Sequence, residues 1–179
     1  VRELITGPNK VYCYDETDFY LTNGLKVPVV PVFDIGSRKN LNNGVYVRSF
    51  YEKDVRNLWD ATLFEEGVDT AGLTILSDND GQMKDKTVRK HMEDNWQVTL
   101  VYARPHTPND NPWIEAFNKS LKYHPSRPEA FETVQDVRVV GAAVVVRDCG
   151  VGFRACVRVK VSCVSMHQAV GAWRDRVAL

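Results

Sequence analysis

The sequence predicts an α/β fold in which a mixed five-stranded sheet is flanked by helices. Three observations carry this. Short strand-like segments joined by turn residues fill the first 50 positions. Helical and strand-like periodicities then alternate from about residue 52 to residue 123. The resulting order, three strands, helix, strand, helix, strand, helix, suits a sheet with helices packed on it. The length of 179 residues and a hydrophobic content of 44% are enough for a sizeable core.

Residues 11–15, Val-Tyr-Cys-Tyr-Asp, alternate in the manner of a strand and end in a carboxylate. Asn23-Gly24 is a hairpin turn signal. Residues 26–35 read as a second strand, against which Pro28 and Pro31 weigh because proline donates nothing to a ladder. Asn42-Asn43-Gly44 reads as a turn before a third strand at Val45–Val47. Over residues 52–66, Val55, Leu58, Trp59, Thr62 and Leu63 make one apolar helical stripe, which Gly67 ends. Leu73–Leu76 is a short apolar strand running into Ser77-Asp78-Asn79. A second helix is expected at 85–95 and a strand at 97–101. After a polar loop, Asn111 is a good cap and Pro112 a good first residue for a helix to about Tyr123, which Pro125 and Pro128 stop. Trp59, Trp96 and Trp113 are expected in packing roles.

Composition narrows the function classes. No apolar run approaches the roughly 18 residues of a membrane span, and the start lacks a secretory pattern. It also lacks an initiator Met, which reads as a piece of a longer protein. Cys13, Cys149, Cys156 and Cys163 form no CxxC pair or zinc-finger spacing and read as reduced thiols of a cytoplasmic protein. The net charge of +0 is uneven: residues 137–179 hold seven Lys+Arg against two Asp+Glu, leaving 16 against 21 in residues 1–136. An acidic segment that works on DNA would do so at a local site rather than through a basic coat.

Asp15, Asp78 and Glu115 stand at two strand ends and a helix start. Singly, such acids are usually turn, cap or dipole residues. Together, clustered carboxylates suit hard divalent cations such as Mg²⁺ or Mn²⁺. Two such ions can stabilise the attacking and leaving oxygens of a phosphodiester displacement. Glu115, Lys119 and Lys122 fall on one helix face, where a lysine can hold a DNA phosphate or merely form a solvated charged surface. Lys84, Lys86, Arg89 and Lys90 read first as surface, diluted by Asp85, Glu93 and Asp94.

Four segments carry a resemblance. Val11-Tyr12-Cys13-Tyr14-Asp15-Glu16-Thr17-Asp18 resembles the first catalytic strand of integrase-like insertion-sequence transposases, of the retroviral-integrase type. Asp34-Ile35-Gly36-Ser37-Arg38 resembles their Asp-x-x-Ser-Arg segment, and Ser77-Asp78-Asn79 with Met83-Lys84 their second catalytic segment. Arg104-Pro105-His106-Thr107-Pro108-Asn109-Asp110-Asn111-Pro112-Trp113-Ile114-Glu115, followed by Asn118-Lys119-Ser120-Leu121-Lys122-Tyr123, is the most specific match. The resemblance covers about residues 1–136 and implies an RNase H-like catalytic core. It implies an Asp-Asp-Glu triad of Asp15, Asp78 and Glu115, serving both as catalytic residues and as ligands of two Mg²⁺ or Mn²⁺ ions. It further implies nicking of DNA at element ends and strand transfer into target DNA. Asn111, Lys119 and Lys122 would contact that DNA, with the protein a homo-oligomer in the bacterial nucleoid. The alternative is a catalytically inactive transposase-derived fragment that binds DNA or partner subunits.

The sequence departs from the family at three places. Asp80 stands where the second catalytic segment usually has Gly, and Glu16 replaces an apolar residue. Residues 137–179 form an atypical Val/Arg-rich tail, read either as a shifted reading frame or as a divergent extension, with a strand-like alternation at 156–161.

Overall fold

A computed structural model describes residues 2–78, 84–103, 112–123 and 128–147. Asn111, His106, Asp80, Cys149, Cys156, Cys163 and the alternating segment 156–161 lie outside them. The elements are β1 (Val11–Tyr14), β2 (Thr17–Tyr20), β3 (Lys26–Asp34), β4 (Lys39–Val45), α1 (Glu52–Glu66), β5 (Thr74–Ser77), α2 (Lys86–Trp96), β6 (Thr99–Tyr102), α3 (Pro112–Tyr123) and α4 (Val134–Arg147).

The strands form one mixed sheet. β1 and β2 both run antiparallel to β3 in a single continuous register, Tyr12 opposite Asp34 and Thr17 opposite Val29, so they share one lane. β4 lies on the other edge of β3. β5 is parallel to β1, and β6 parallel to β5. The mixed sheet therefore has the five lanes expected, one of them interrupted.

Alternation along the strands sends side chains into two cores. Val11, Cys13, Phe33 and Leu76 pack with Ile114, Phe117 and Leu121 of α3 and Val137 of α4. Tyr12, Tyr14, Val32 and Ile75 pack with Val55, Leu58, Trp59 and Leu63 of α1 and Val88 and Met92 of α2. The result is a three-layer helix–sheet–helix arrangement. The α1 stripe is the one its periodicity predicts, and Gly67 ends that helix in the left-handed region at φ 58°. Trp59 is buried at 1% exposure, edge-on to Tyr14. Trp96 is half-buried and donates to Asp60 at 2.7 Å. Trp113 packs on the α3 side.

Three local expectations need correction. Asn42-Asn43-Gly44 is not a turn but the body of β4. The chain reverses earlier, at 35–38, because the buried Asp34 carboxylate accepts from Gly36 N (3.0 Å) and Ser37 N (3.3 Å) and ties in Asn9 N (3.1 Å). The asparagines are accommodated in the strand by side-chain partners. Asn40 and Asn43 bond each other, and Asn42 donates to Thr62 Oγ1 at 3.0 Å. The strand placed at Val45–Val47 accordingly ends at Val45. Finally, Pro28 and Pro31 lie within a nine-residue β3. Pro28 sits where the β3–β4 ladder ends, its carbonyl accepting from Tyr46 N at 3.0 Å, so little pairing is lost there. Pro31 acts differently: it falls opposite Asp15, where the lane breaks.

Candidate active site

The register of the sheet sets the two aspartates. Cys13 pairs with Leu76 across the parallel β1–β5 ladder, and Asp15 and Asp78 each follow two residues later, just past the strand ends. Adjacent strands are about 4.8 Å apart. By alternation both residues belong to the face that carries Cys13 and Leu76, the face covered by α3. Asp15 is half-buried and Asp78 exposed.

Helix α3 carries Glu115. Its apolar seam, Ile114, Phe117 and Leu121, is buried against the sheet. Asn118 lies beside this seam, and its Nδ2 donates to Asp15 Oδ2 at 3.0 Å. Glu115 is one helical turn before Asn118, roughly 60° round the axis, and is exposed at the border of the seam. Lys119 is exposed and Lys122 half-buried on the same stretch. Among the described residues, no three of His, Cys, Asp and Glu are already gathered as a metal-holding group. The sheet thus sets Asp15 and Asp78 just past the ends of two adjacent parallel strands, and Asn118 ties α3 to Asp15. Asn111 lies outside the described residues.

The surroundings of Asp15 are polar on one side and closed on the other. Glu16 and Asp18 are held by Lys26 at 3.6 and 2.9 Å. The hydrogen bond to Asp18, and then the nearby carboxylate charges, hold the Lys26 ammonium above its ordinary range. This pairing accommodates the charge at Glu16, where the family resemblance leads one to expect an apolar side chain. Cys13 is fully buried, and burial first, then the charges of Asp15 and Asp34, push its thiol far up, so it is no nucleophile. Burial also raises Tyr14, which stays a neutral packing residue on the opposite face. The basic cluster of α2 is surface: Lys84, Lys86, Arg89 and Lys90 are exposed, with Arg89 paired to Glu93 at 2.8 Å.

Sequence reasoning gave no role to Asn118. The signal available was its spacing, three residues after Glu115 on the same helical turn. It is 9% exposed, and its Oδ1 is buried with no hydrogen-bond partner among the described residues. Leaving a buried carbonyl unpaired costs about 1–3 kcal/mol, so the amide is not there for packing alone.

The three-layer arrangement, a mixed sheet of five lanes with helices on both faces, is an RNase H-like fold. Residues 96–147 match the family model described as the integrase core domain. The match runs through α4, across the boundary expected between residues 136 and 137. No curated protein matches the sequence.

Among solved structures, a chain of the simian T-cell lymphotropic virus intasome in complex with the PP2A regulatory subunit B56 gamma is similar at a TM-score of 0.61 and 14% identity. The alignment covers 84% of this chain and 52% of that one, so the present chain spans about half its length. The catalytic domain of Mos1 mariner transposase gives a TM-score of 0.61 at 13% identity, covering 73% of this chain and 67% of that one. The same catalytic domain with Raltegravir and Mg gives 0.57 at 12% identity, covering 73% and 68%. At these identities the likeness establishes the fold.

Proposed function

We propose that the chain is the catalytic core of a DNA transposase that cuts and joins DNA strands with the help of divalent metal, Asp15, Asp78 and Glu115 being the metal ligands and catalytic carboxylates. The observation that supports this reading is the parallel β1–β5 register, in which Cys13 lies opposite Leu76, so that Asp15 and Asp78 each stand two residues beyond that pair. The donor set fits the group: oxygen-only carboxylates suit Mg²⁺ or Mn²⁺, and two adjacent aspartates can share an ion. Mg in the Mos1 transposase structure is in keeping with this choice. When bound, one or two such ions supply Lewis-acid stabilisation of a phosphodiester undergoing displacement.

The chain's own residues account for binding and orientation. Lys119 and Lys122 are proposed to hold DNA phosphates beside the site, with Asn111 contributing ahead of α3. Because the described part is acidic near the site, phosphate binding there depends on these lysines and on the cations. DNA ends and target DNA are the proposed partners, engaged by a homo-oligomer. Work on DNA of this kind is cytoplasmic in a bacterium, and among the described residues no helix is long and apolar enough to cross a membrane. A second reading, an inactive transposase-derived fragment that binds DNA or partner subunits, is favoured by Asp80 standing in the place of a family glycine.

Calorimetric titration with Mn²⁺ and Mg²⁺ separates the two. The folded wild-type chain is expected to bind, and Asp78→Asn and Glu115→Gln to lose at least about tenfold in affinity. A folded wild-type chain that takes up neither ion refutes the enzyme reading and leaves the inactive fragment.

A further inference from the structure

The lane formed by β1 and β2 is broken at Asp15 and Glu16, and β3 explains why. At one end of the shared register Ile35 N donates to Val11 O at 3.0 Å; at the other, Leu21 N donates to Leu25 O at 3.0 Å. Hydrogen-bonded pairs alternate along an antiparallel ladder. Counting inward from either end, the Asp15–Pro31 pair is of the hydrogen-bonded kind. Pro31 has no N–H, so β3 cannot donate to the Asp15 carbonyl. The strand stops at Tyr14 and resumes at Thr17. Asp15 therefore lacks the backbone hydrogen bond that β3 would otherwise donate at this pair.

The other layer supplies a grip. Asn118 Nδ2 donates to Asp15 Oδ2 at 3.0 Å from α3. An ionised carboxylate only accepts, so the amide nitrogen must face it. That orientation leaves Asn118 Oδ1 buried without a partner among the described residues, at a position flanked by the apolar Phe117, Ile114 and Leu121. A residue needed only to fill this space would be apolar like them. One hydrogen bond occupies a single acceptor site of Asp15 Oδ2, and a carboxylate has about four. The contact steers the group without consuming its capacity for a cation.

We propose that Asn118 is a positioning residue, which aims the Asp15 carboxylate and fixes α3, and with it Glu115, against β1, in place of the ladder bond that Pro31 withholds. This rests on the metal-site reading for its purpose, but the contact itself stands on the geometry of Asn118, Asp15 and Pro31. Two variants divide the possibilities. Asn118→Leu removes the donor and also the unpaired carbonyl, at similar volume. Pro31→Val returns a backbone N–H opposite Asp15.

The experiment measures free Mn²⁺ by electron paramagnetic resonance, together with thermal unfolding, on the same chains. Asn118→Leu is expected to unfold at or above the wild-type temperature while its Mn²⁺ affinity falls about tenfold or more. In the Pro31→Val background the same substitution costs less affinity, because the sheet now shares the task. Unchanged affinity in Asn118→Leu, or an equal loss in both backgrounds, overturns the proposal. A metal-free measurement runs beside it, following the Asn118 side-chain amide signals by NMR. They are expected to move in Asp15→Ala and to stay in place in Lys119→Ala. Amide signals indifferent to Asp15→Ala overturn this inference whatever the metal does. A wild-type chain that binds no Mn²⁺, with the amide still sensing Asp15→Ala, overturns the proposed function and keeps the contact.

Discussion

Gly36 offers a test of the turn that the Asp-x-x-Ser-Arg segment builds. A Cβ placed on Gly36 would lie 2.0 Å from Gly7 O, 2.5 Å from Gly7 C and 2.9 Å from Pro8 N. All three are backbone atoms, so no flexible side chain can swing away, and ordinary contact begins at 3.4 Å. One of the two chain segments must move by more than about an ångström; overpacking of this kind typically costs about 1–3 kcal/mol. The upper end is expected, because the segments are also bound through Asp34, which accepts from Asn9 N on one and Gly36 N on the other. For a chain of this size about 3 kcal/mol lowers the melting temperature by roughly 6–12 °C. Thermal unfolding of Gly36→Ala measures it, and hydrogen exchange at Asn9 reports whether the first ten residues peel away. Gly7→Ala is the matched control: its Cβ would meet nothing within 4 Å, and a change within about 0.5 kcal/mol is expected. A Gly36→Ala chain melting within about 1 °C of wild type, or a Gly7→Ala chain equally damaged, would show that the two segments do not approach as described.

Two further outcomes follow from the α1 side of the sheet. Trp59 is fully buried between Tyr14, edge-on at 5.1 Å, and Tyr12, stacked at 6.4 Å. Trp59→Ala should lose about 3–5 kcal/mol in urea unfolding, and a loss below about 1 kcal/mol would contradict this packing. Asp54 is desolvated by burial, which alone would raise its pKa. The bidentate Arg48 (2.7 and 2.9 Å) and Tyr51 N outweigh that and hold it below the usual carboxylate range. A depressed folded pKa adds stability above the unfolded value near 3.9 and loses it as pH falls through the folded value. The stability gap between wild type and Asp54→Asn should therefore be wide at neutral pH and close below about pH 4. A gap independent of pH would mean the ion pair is not formed.

Much of the fold was legible because its signals are local. The stripe from Val55 to Leu63 marked α1 and Gly67 its end, since helix periodicity and a left-handed cap are written within a few residues. Pro112 likewise marked the start of α3. The misread stretch was Asn42-Asn43-Gly44, whose residue types favour turns. Its fate was decided by Asp34 closing the reversal earlier and by Thr62 of α1 receiving Asn42.

The site divides along the same line. Asp15, Asp78 and Glu115 could be singled out from the words around them, at two strand ends and one helix start. The sequence by itself determined these elements, their order and the candidate acids, because each is encoded by neighbours in the chain. Only the tertiary structure decided that Asp15 falls opposite Pro31 at a gap of the ladder, that β1 and β5 run side by side with Cys13 opposite Leu76, and that Asn118 reaches Asp15 over a separation of 103 residues. Register and side-chain contact between distant segments are set by which faces can be buried together, and that is a property of the packed sheet and helices as a whole.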